Sequence, residues 1–389
     1  MRHLVALAAA LLATLSVSEA PAPLHVDPQG LVVHEWGTFT SVAGRHGEAE
    51  PWLPLSGDDD LPCFVDRIGF GIKPNLSGTI RMETPVLYFY AANEITAQVS
   101  VRFKQGAITE WYPRAAVTPT QLDSTTNLGT LESTAMWSSV LIRPGSIPLY
   151  PEETRASHYY AARATDATPV QVNGQDEKFL FYRGVGGFQP PLSAMLMPAG
   201  LVRVEARGGG AVRDVVQFDN TDGRIRYRFT NSSWPRATLD SLPADGDLSA
   251  LYAQLERLLV ARGLYEREAH AMVETWKDSW FEPGTRLIYI VPESFVDEIL
   301  PLAVRPRPSR IARVFVGRIE LLSDAKLASV KNALVNGDAT ALNAHGRFLW
   351  PAVQRVLADS NREERVQLER SLGLVYRMPT HNLRRCSAP

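Results

Sequence analysis

The stretch "LVVHEWGTFT", residues 31–40, decides how this chain is read. It sets a histidine, a glutamate and a tryptophan side by side in a run rich in β-branched and aromatic residues, the composition of a strand. Successive side chains of a strand point to opposite faces. Val32, His34, Trp36 and Thr38 therefore share one face, and Val33, Glu35, Gly37 and Phe39 share the other. His34 and Glu35 cannot act on each other, so each needs a partner from elsewhere. Glu35, between Val33 and Phe39, points toward an apolar region, where a carboxylate must be paired or its pKa raised. Raised, it would be a general acid; satisfied by an arginine or by backbone donors, it would be structural.

The same period of two continues from about residue 30 to 235. In "ITAQVSVRF" (95–103), Ile95, Ala97, Val99, Val101 and Phe103 alternate with Thr96, Gln98, Ser100 and Arg102, as in a half-buried strand. "TPVLYFYA" (84–91) before it is apolar on both faces, and "AITEWY" (107–112) follows after a short turn. Further strands are expected at 134–142, 178–183, 201–207, 211–218 and 224–230, separated by Gly, Asn and Asp turns. Many short strands with no helical period between them predict an antiparallel β-sandwich over residues 27–235. The loops 43–62 and 112–130 are long enough to form binding surfaces.

Near residue 240 the period changes. Leu248, Leu251, Tyr252, Leu255, Leu258 and Leu259 follow helical spacing behind the capping candidates Asp245 and Asp247, and Gly263 closes the segment. A second helix carries Ala269, Met272, Val273, Trp276 and Trp280 on one side. "RLIYIVP" (286–292) and "RVFVGRIELL" (313–322) read as strands, and helices are expected at 323–336, 347–358 and 361–375. The fold class is thus mainly β with α+β character: an N-terminal antiparallel sandwich and a mixed, largely helical domain over 245–380 with at most a small sheet.

The N-terminus has the layout of a secretory signal peptide over residues 1–20. "MRH" supplies a positive start, Leu4 to Leu15 is almost wholly apolar, and Ser16, Ser18 and Ala20 are small. Cleavage fits after Ser18, Ala20 or Ala22. The apolar run is shorter than the ~20 residues a spanning helix needs, so a secreted or periplasmic protein is expected, not a membrane-spanning one. In an oxidising compartment Cys63 and Cys386 could bridge, or stay as two thiols. Forty Lys and Arg against 42 Asp and Glu give a net charge of -2, which argues against nucleic acid as a partner.

Candidate chemistry is sparse. Glu35 and Glu83, supported by His34, could form a carboxylate pair for glycosidic hydrolysis if they converge across a cleft. Trp36, Glu110, Trp111 and Arg183 are candidate binding residues, the tryptophans as platforms for sugar rings and Arg183 for an anionic group. The helical row Glu266, His270 and Glu274 fits a metal site in spacing but fits a solvated face better, so no metal and no cofactor are expected. "FYRGVGGF" (181–188) lacks the helix a phosphate cradle needs, because Gln189-Pro190-Pro191 follows; it reads as a kinked strand end.

"VVHEWGTFTSVAG", "METPVLYFY", "FYRGVGGF" and "TWKDSWFEPGTRLIYIVP" resemble the sequence blocks of a family of exported bacterial proteins of uncharacterised function. The resemblance implies a bacterial, exported origin and carries no role onto individual positions. The sequence reading is therefore a non-catalytic carbohydrate- or protein-binding protein of the cell envelope. A glycosidase-like hydrolase using Glu35 and Glu83 is the alternative.

Overall fold

The computed structural model describes residues 30–375, apart from 54–59, 71–75, 124, 209–210, 212, 222 and 244–245. The expected signal segment, Asp245 and Cys386 lie outside the described residues; Cys63 is disulfide-bonded.

The opening stretch is the heart of the molecule. Strand β1 (Val32–Val42) is buried along its whole length. It lies in a nine-stranded sheet that also contains β2 (Ile80–Tyr90), β4 (Gly106–Tyr112), β6 (Leu180–Gly186), β7 (Val215–Thr221), β8 (Arg224–Thr230), β9 (Gly284–Ile290) and β10 (Arg310–Leu321). The order is β8-β7-β9-β10-β1-β2-β6-β4, closed by the short strand Asp66–Arg67. All neighbours run antiparallel except β1 and β10, a parallel pair at the centre.

On the odd-numbered face of β1, Val33 and Phe39 join Met82, Leu87, Tyr182 and Phe315 in a core shared with a second sheet. That sheet is built on β3 (Ile95–Lys104) and β5 (Glu132–Ile142), with Leu302–Arg305 and Val170–Val172 beside them. The expected alternation of β3 is observed: Ala97, Val99, Val101 and Phe103 are buried, while Thr96, Gln98 and Arg102 are exposed. These two sheets form the sandwich.

The even-numbered face is covered by helices. Helix α1 (Leu248–Ala261) begins at Asp247, whose side chain accepts from the Ser249 and Ala250 amides, and buries Leu251, Leu255 and Leu259 at four-residue spacing. Helix α2 (Glu266–Trp280) lays Ala269, Met272, Val273, Trp276 and Trp280 on Trp36, Tyr88 and Val316. Fully burying a single Met or Val side chain contributes ~1.5–3 kcal/mol, so this stripe fixes α2 to the sheet. A short helix α3 (Glu293–Ile299) follows β9. After β10 come α4 (Asp324–Asn336), α5 (Ala339–Asn343), α6 (Leu349–Asp359) and α7 (Arg362–Val375). Of these, α4 and α6 pack around Val42, Trp52 and Leu322 at the end of β1 and β10. The chain is thus mostly β, in several sheets, with a C-terminal helical region.

The boundary drawn at 235–245 from the change of hydrophobic period does not divide the large sheet. β9 and β10 follow it in sequence yet pair with β7 and β1 respectively. The periodicity reports local conformation only; pairing across the chain depends on which edges are left open. The kinked end expected at 181–188 is a strand with a register shift between Arg183 and Gly184. A Cβ on Gly184 would sit 2.2 Å from the carbonyl oxygen of Ala107, so only glycine admits that close strand approach.

Candidate functional site

His34 and Glu35 face opposite layers. Nδ1 of His34 lies 2.7 Å from Oε2 of Glu268, the third residue of α2, and both side chains are fully buried. The same carboxylate accepts from the Tyr90 hydroxyl at 2.7 Å and from the Tyr265 amide at 2.7 Å, capping the helix. His34 therefore ties β1 to the start of α2. On the sandwich side, Glu35 accepts from the Tyr182 hydroxyl at 2.5 Å and from Nε of Arg313 at 2.6 Å. Arg313 is its neighbour in the parallel β1–β10 register and also reaches Asp297 at 2.7 Å. Glu35 is the arginine-satisfied carboxylate, a structural pair in the core.

Glu35→Gln keeps the shape but removes the charge opposite a buried guanidinium. It is expected to lower the unfolding free energy by ~2 kcal/mol, read from urea denaturation. Unchanged stability would show that Arg313 is held well enough without it.

Glu83 belongs to the other face, with no partner shared with Glu35. It accepts from Thr40 at 2.6 Å, is bonded by Arg347, and pairs with Arg81 at 3.2 Å. The carboxylates offered as a hydrolytic pair are not brought together by the structure: one faces the sandwich core, the other the helical layer. Trp36 is fully buried against α2 and Tyr88, where it cannot stack on a ligand. Trp111 is partly buried, packed at the edge of two core clusters. Glu110 and Arg183 do meet. They are register partners in β4 and β6, with Nε of Arg183 3.3 Å from Glu110 and Nη1 2.7 Å from Asp60. The row on α2 is not a joint site: His270 pairs with Glu256 of α1 and Glu274 with Lys277.

The sequence reading missed a larger assembly on the helix-facing side. A belt of charges crosses the sheet from Asp60, Glu110 and Arg183 through Arg81 and Glu83 to Arg318, Glu320 and Arg286. Glu320 accepts from Arg286 at 3.0 Å and from Lys326 of α4 at 2.9 Å. Arg318 reaches Glu282, just beyond α2, at 2.7 Å, and Arg347 reaches the same carboxylate at 3.1 Å. Arg286 also donates to the carbonyls of Trp280, Glu282 and Pro283, which terminate α2. The ring of Phe348 has the Arg318, Arg347 and Lys326 cations 4.9, 5.1 and 5.3 Å from its centre.

Burial and opposite charge compete across this belt. Burial raises the Glu282 carboxyl, but Arg318 and Arg347 outweigh it and hold it down at about 2. Glu83 and Glu320 are likewise lowered against their burial, by Arg347 and Arg81 and by Arg286 and Lys326 respectively. Burial, then Arg286 and Arg347 as like charges, pull Arg318 down to about 10. A signal for this belt exists in the sequence: "IRME" (80–83) and "GRIE" (317–320) place charges at i and i+2 of otherwise apolar strands. Alternation alone would assign those charges to solvent.

Beside the belt a cleft of about 320 Å³ opens between the sheet edge and the C-terminal helices. Its wall includes Asn220, Thr285, Glu282, Lys326, Ser329 and His345, with Phe348 below. Two other clefts are present among the described residues: about 340 Å³ near Arg262 and Arg313, and about 220 Å³ near Arg45 and Arg355. Of these three, the first adjoins the charge belt, through Glu282 and Lys326. Among the described residues no group of three or more His, Cys, Asp and Glu is arranged to hold a metal ion. No helix among them is long and apolar enough to cross a membrane.

No protein-family model matches the chain, and no curated protein matches it. Among solved structures, similarity is found to the yeast delta-COP-I mu-homology domain complexed with a Dsl1 WxWxV peptide, at 8% identity and a TM-score of 0.27. The match covers 75% of this chain and 98% of that one. A TM-score this low does not define a common fold, and nothing is carried over from it.

Proposed function

We propose that this chain is an exported, non-catalytic binding protein of the bacterial cell envelope that holds a short saccharide in the cleft between the large sheet and the C-terminal helices. The observation that carries the reading is the cleft itself: hydroxyl, amide and charged side chains around an aromatic floor, in a volume at the small end of ligand sites. Support comes also from the candidate acids. Glu35 and Glu83 are each engaged by arginine, and neither lines this cleft. The export signal and the family resemblance at the sequence level favour the envelope as its place of work.

The test is a glycan array followed by calorimetry on the mature protein and on Ala325→Trp. Ala325 is an exposed residue of α4 on the cleft wall, so a tryptophan there fills the space without touching the core. Saccharide binding by the wild type, lost in Ala325→Trp with an unchanged melting temperature, is the expected result. A wild-type protein that retains no glycan, or binding untouched by the substitution, rejects the cleft as the site.

A further inference from the structure

The charge belt is not balanced where it meets the cleft. Among the described residues it holds six cations (Arg81, Arg183, Arg286, Arg318, Lys326 and Arg347) against five carboxylates (Asp60, Glu83, Glu110, Glu282 and Glu320). At the end nearest the cleft, the four cations Arg286, Arg318, Lys326 and Arg347 share three carboxylates, Glu83, Glu282 and Glu320. Most of these groups are fully or nearly fully buried: the side chains of Arg286, Arg318, Glu320 and Glu83 are at most 1% exposed. An excess of positive charge inside a protein is costly unless a counter-charge reaches it. Arg318 also has its buried Nε without a hydrogen-bond partner.

The cleft is where a counter-charge could come from. Phe348 forms part of its lining, and three of the cations lie about that ring. Lys326 is in the wall, spends one hydrogen bond on Glu320 and keeps donors for another acceptor. Glu282 is the opposing carboxylate on the wall, and its charge is taken up by Arg318 and Arg347. His345, also on the wall, is pulled down by burial and by Lys326 and stays neutral near pH 7. Ser329 and Thr285 add hydroxyls.

We infer that the cleft takes an anionic group, a carboxylate, sulfate or phosphate carried by the ligand, seated against Lys326 within the field of Arg286, Arg318 and Arg347. The inference rests on the cleft being the binding site proposed above and specifies which saccharides it selects.

Calorimetric titration of the mature protein at constant ionic strength with glucuronate, glucose 6-sulfate, glucose 6-phosphate and neutral glucose tests it and separates the three anion chemistries. At least one charged sugar is expected to bind more tightly than glucose, by about tenfold, the weight of a hydrogen bond to a charged group. Lys326→Gln is expected to remove that preference. Because Lys326 also supports Glu320, Ala325→Asp is the second variant: it adds a negative charge at an exposed wall position and should weaken binding of the charged sugars more than binding of glucose, removing the anion preference. Equal binding of charged and neutral sugars, or an anion preference that survives both variants, overturns the inference while leaving a neutral-saccharide site intact. Binding of an anion such as inorganic phosphate with no binding of any glycan would instead uphold the anion site and reject the saccharide reading.

Discussion

Glu320→Ala is expected to lower the unfolding free energy by ~3–5 kcal/mol, the range for breaking a buried ion pair by deleting one partner. The carboxylate is fully buried on β10 and accepts from Arg286, itself fully buried, and from Lys326, with Arg318 at 3.5 Å. Its removal leaves these cations in the interior with Glu282 and Glu83 as the nearest compensation. The loss should appear in urea denaturation as a lower midpoint at an unchanged slope. Glu369→Ala supplies the reference, because Glu369 and Arg365 form an exposed pair on α7 with about half of each side chain in solvent. Such a helix pair contributes only ~0.3–0.5 kcal/mol. Comparable losses in the two variants would mean that the belt is solvated and the layer over it loose.

Acidification is expected to act through the same groups. Glu83, Glu282 and Glu320 have folded-state pKa values held below the usual carboxylate value by the arginines and lysine around them. The unfolded chain binds protons more readily than the folded one, so stability falls as the pH falls. The contribution is complete above the ordinary glutamate value of ~4.3. It is lost as the pH drops toward about 2, where Glu282 titrates in the folded protein. Denaturation curves at pH 6 and pH 3 should differ by several kcal/mol, with most of the change below pH 4. An unfolding free energy equal at the two values would contradict the ion pairing described for the belt.

Much of the local structure was legible in the residues. The alternation of β3, the leucine spacing of α1 and the Trp and Met stripe of α2 each follow from one periodicity. So did the decisive point about the opening stretch, that His34 and Glu35 look to different layers and cannot form a pair. The reading of Glu35 as an arginine-satisfied carboxylate was available too, but its partner was not: Arg313 lies 278 residues further along the chain. Glu110 and Arg183 were selected separately, as a residue beside a tryptophan and an arginine in a glycine-rich stretch, and only strand pairing brought them together.

What the sequence determined by itself was the period of each segment, and therefore which side chains share a face. The tertiary structure decided which faces are covered. Arg81, Glu83, Arg286, Arg318 and Glu320 would line a solvated surface if their sheet had one open side, and the alternation rule would then have placed them correctly. Helix α2, the segment carrying Arg347 and Phe348, and helix α4 lie over that side instead. Charges that local patterning would assign to water are enclosed with one another, because burial depends on layers that pack across hundreds of residues, whereas alternation depends only on the bonds between neighbours.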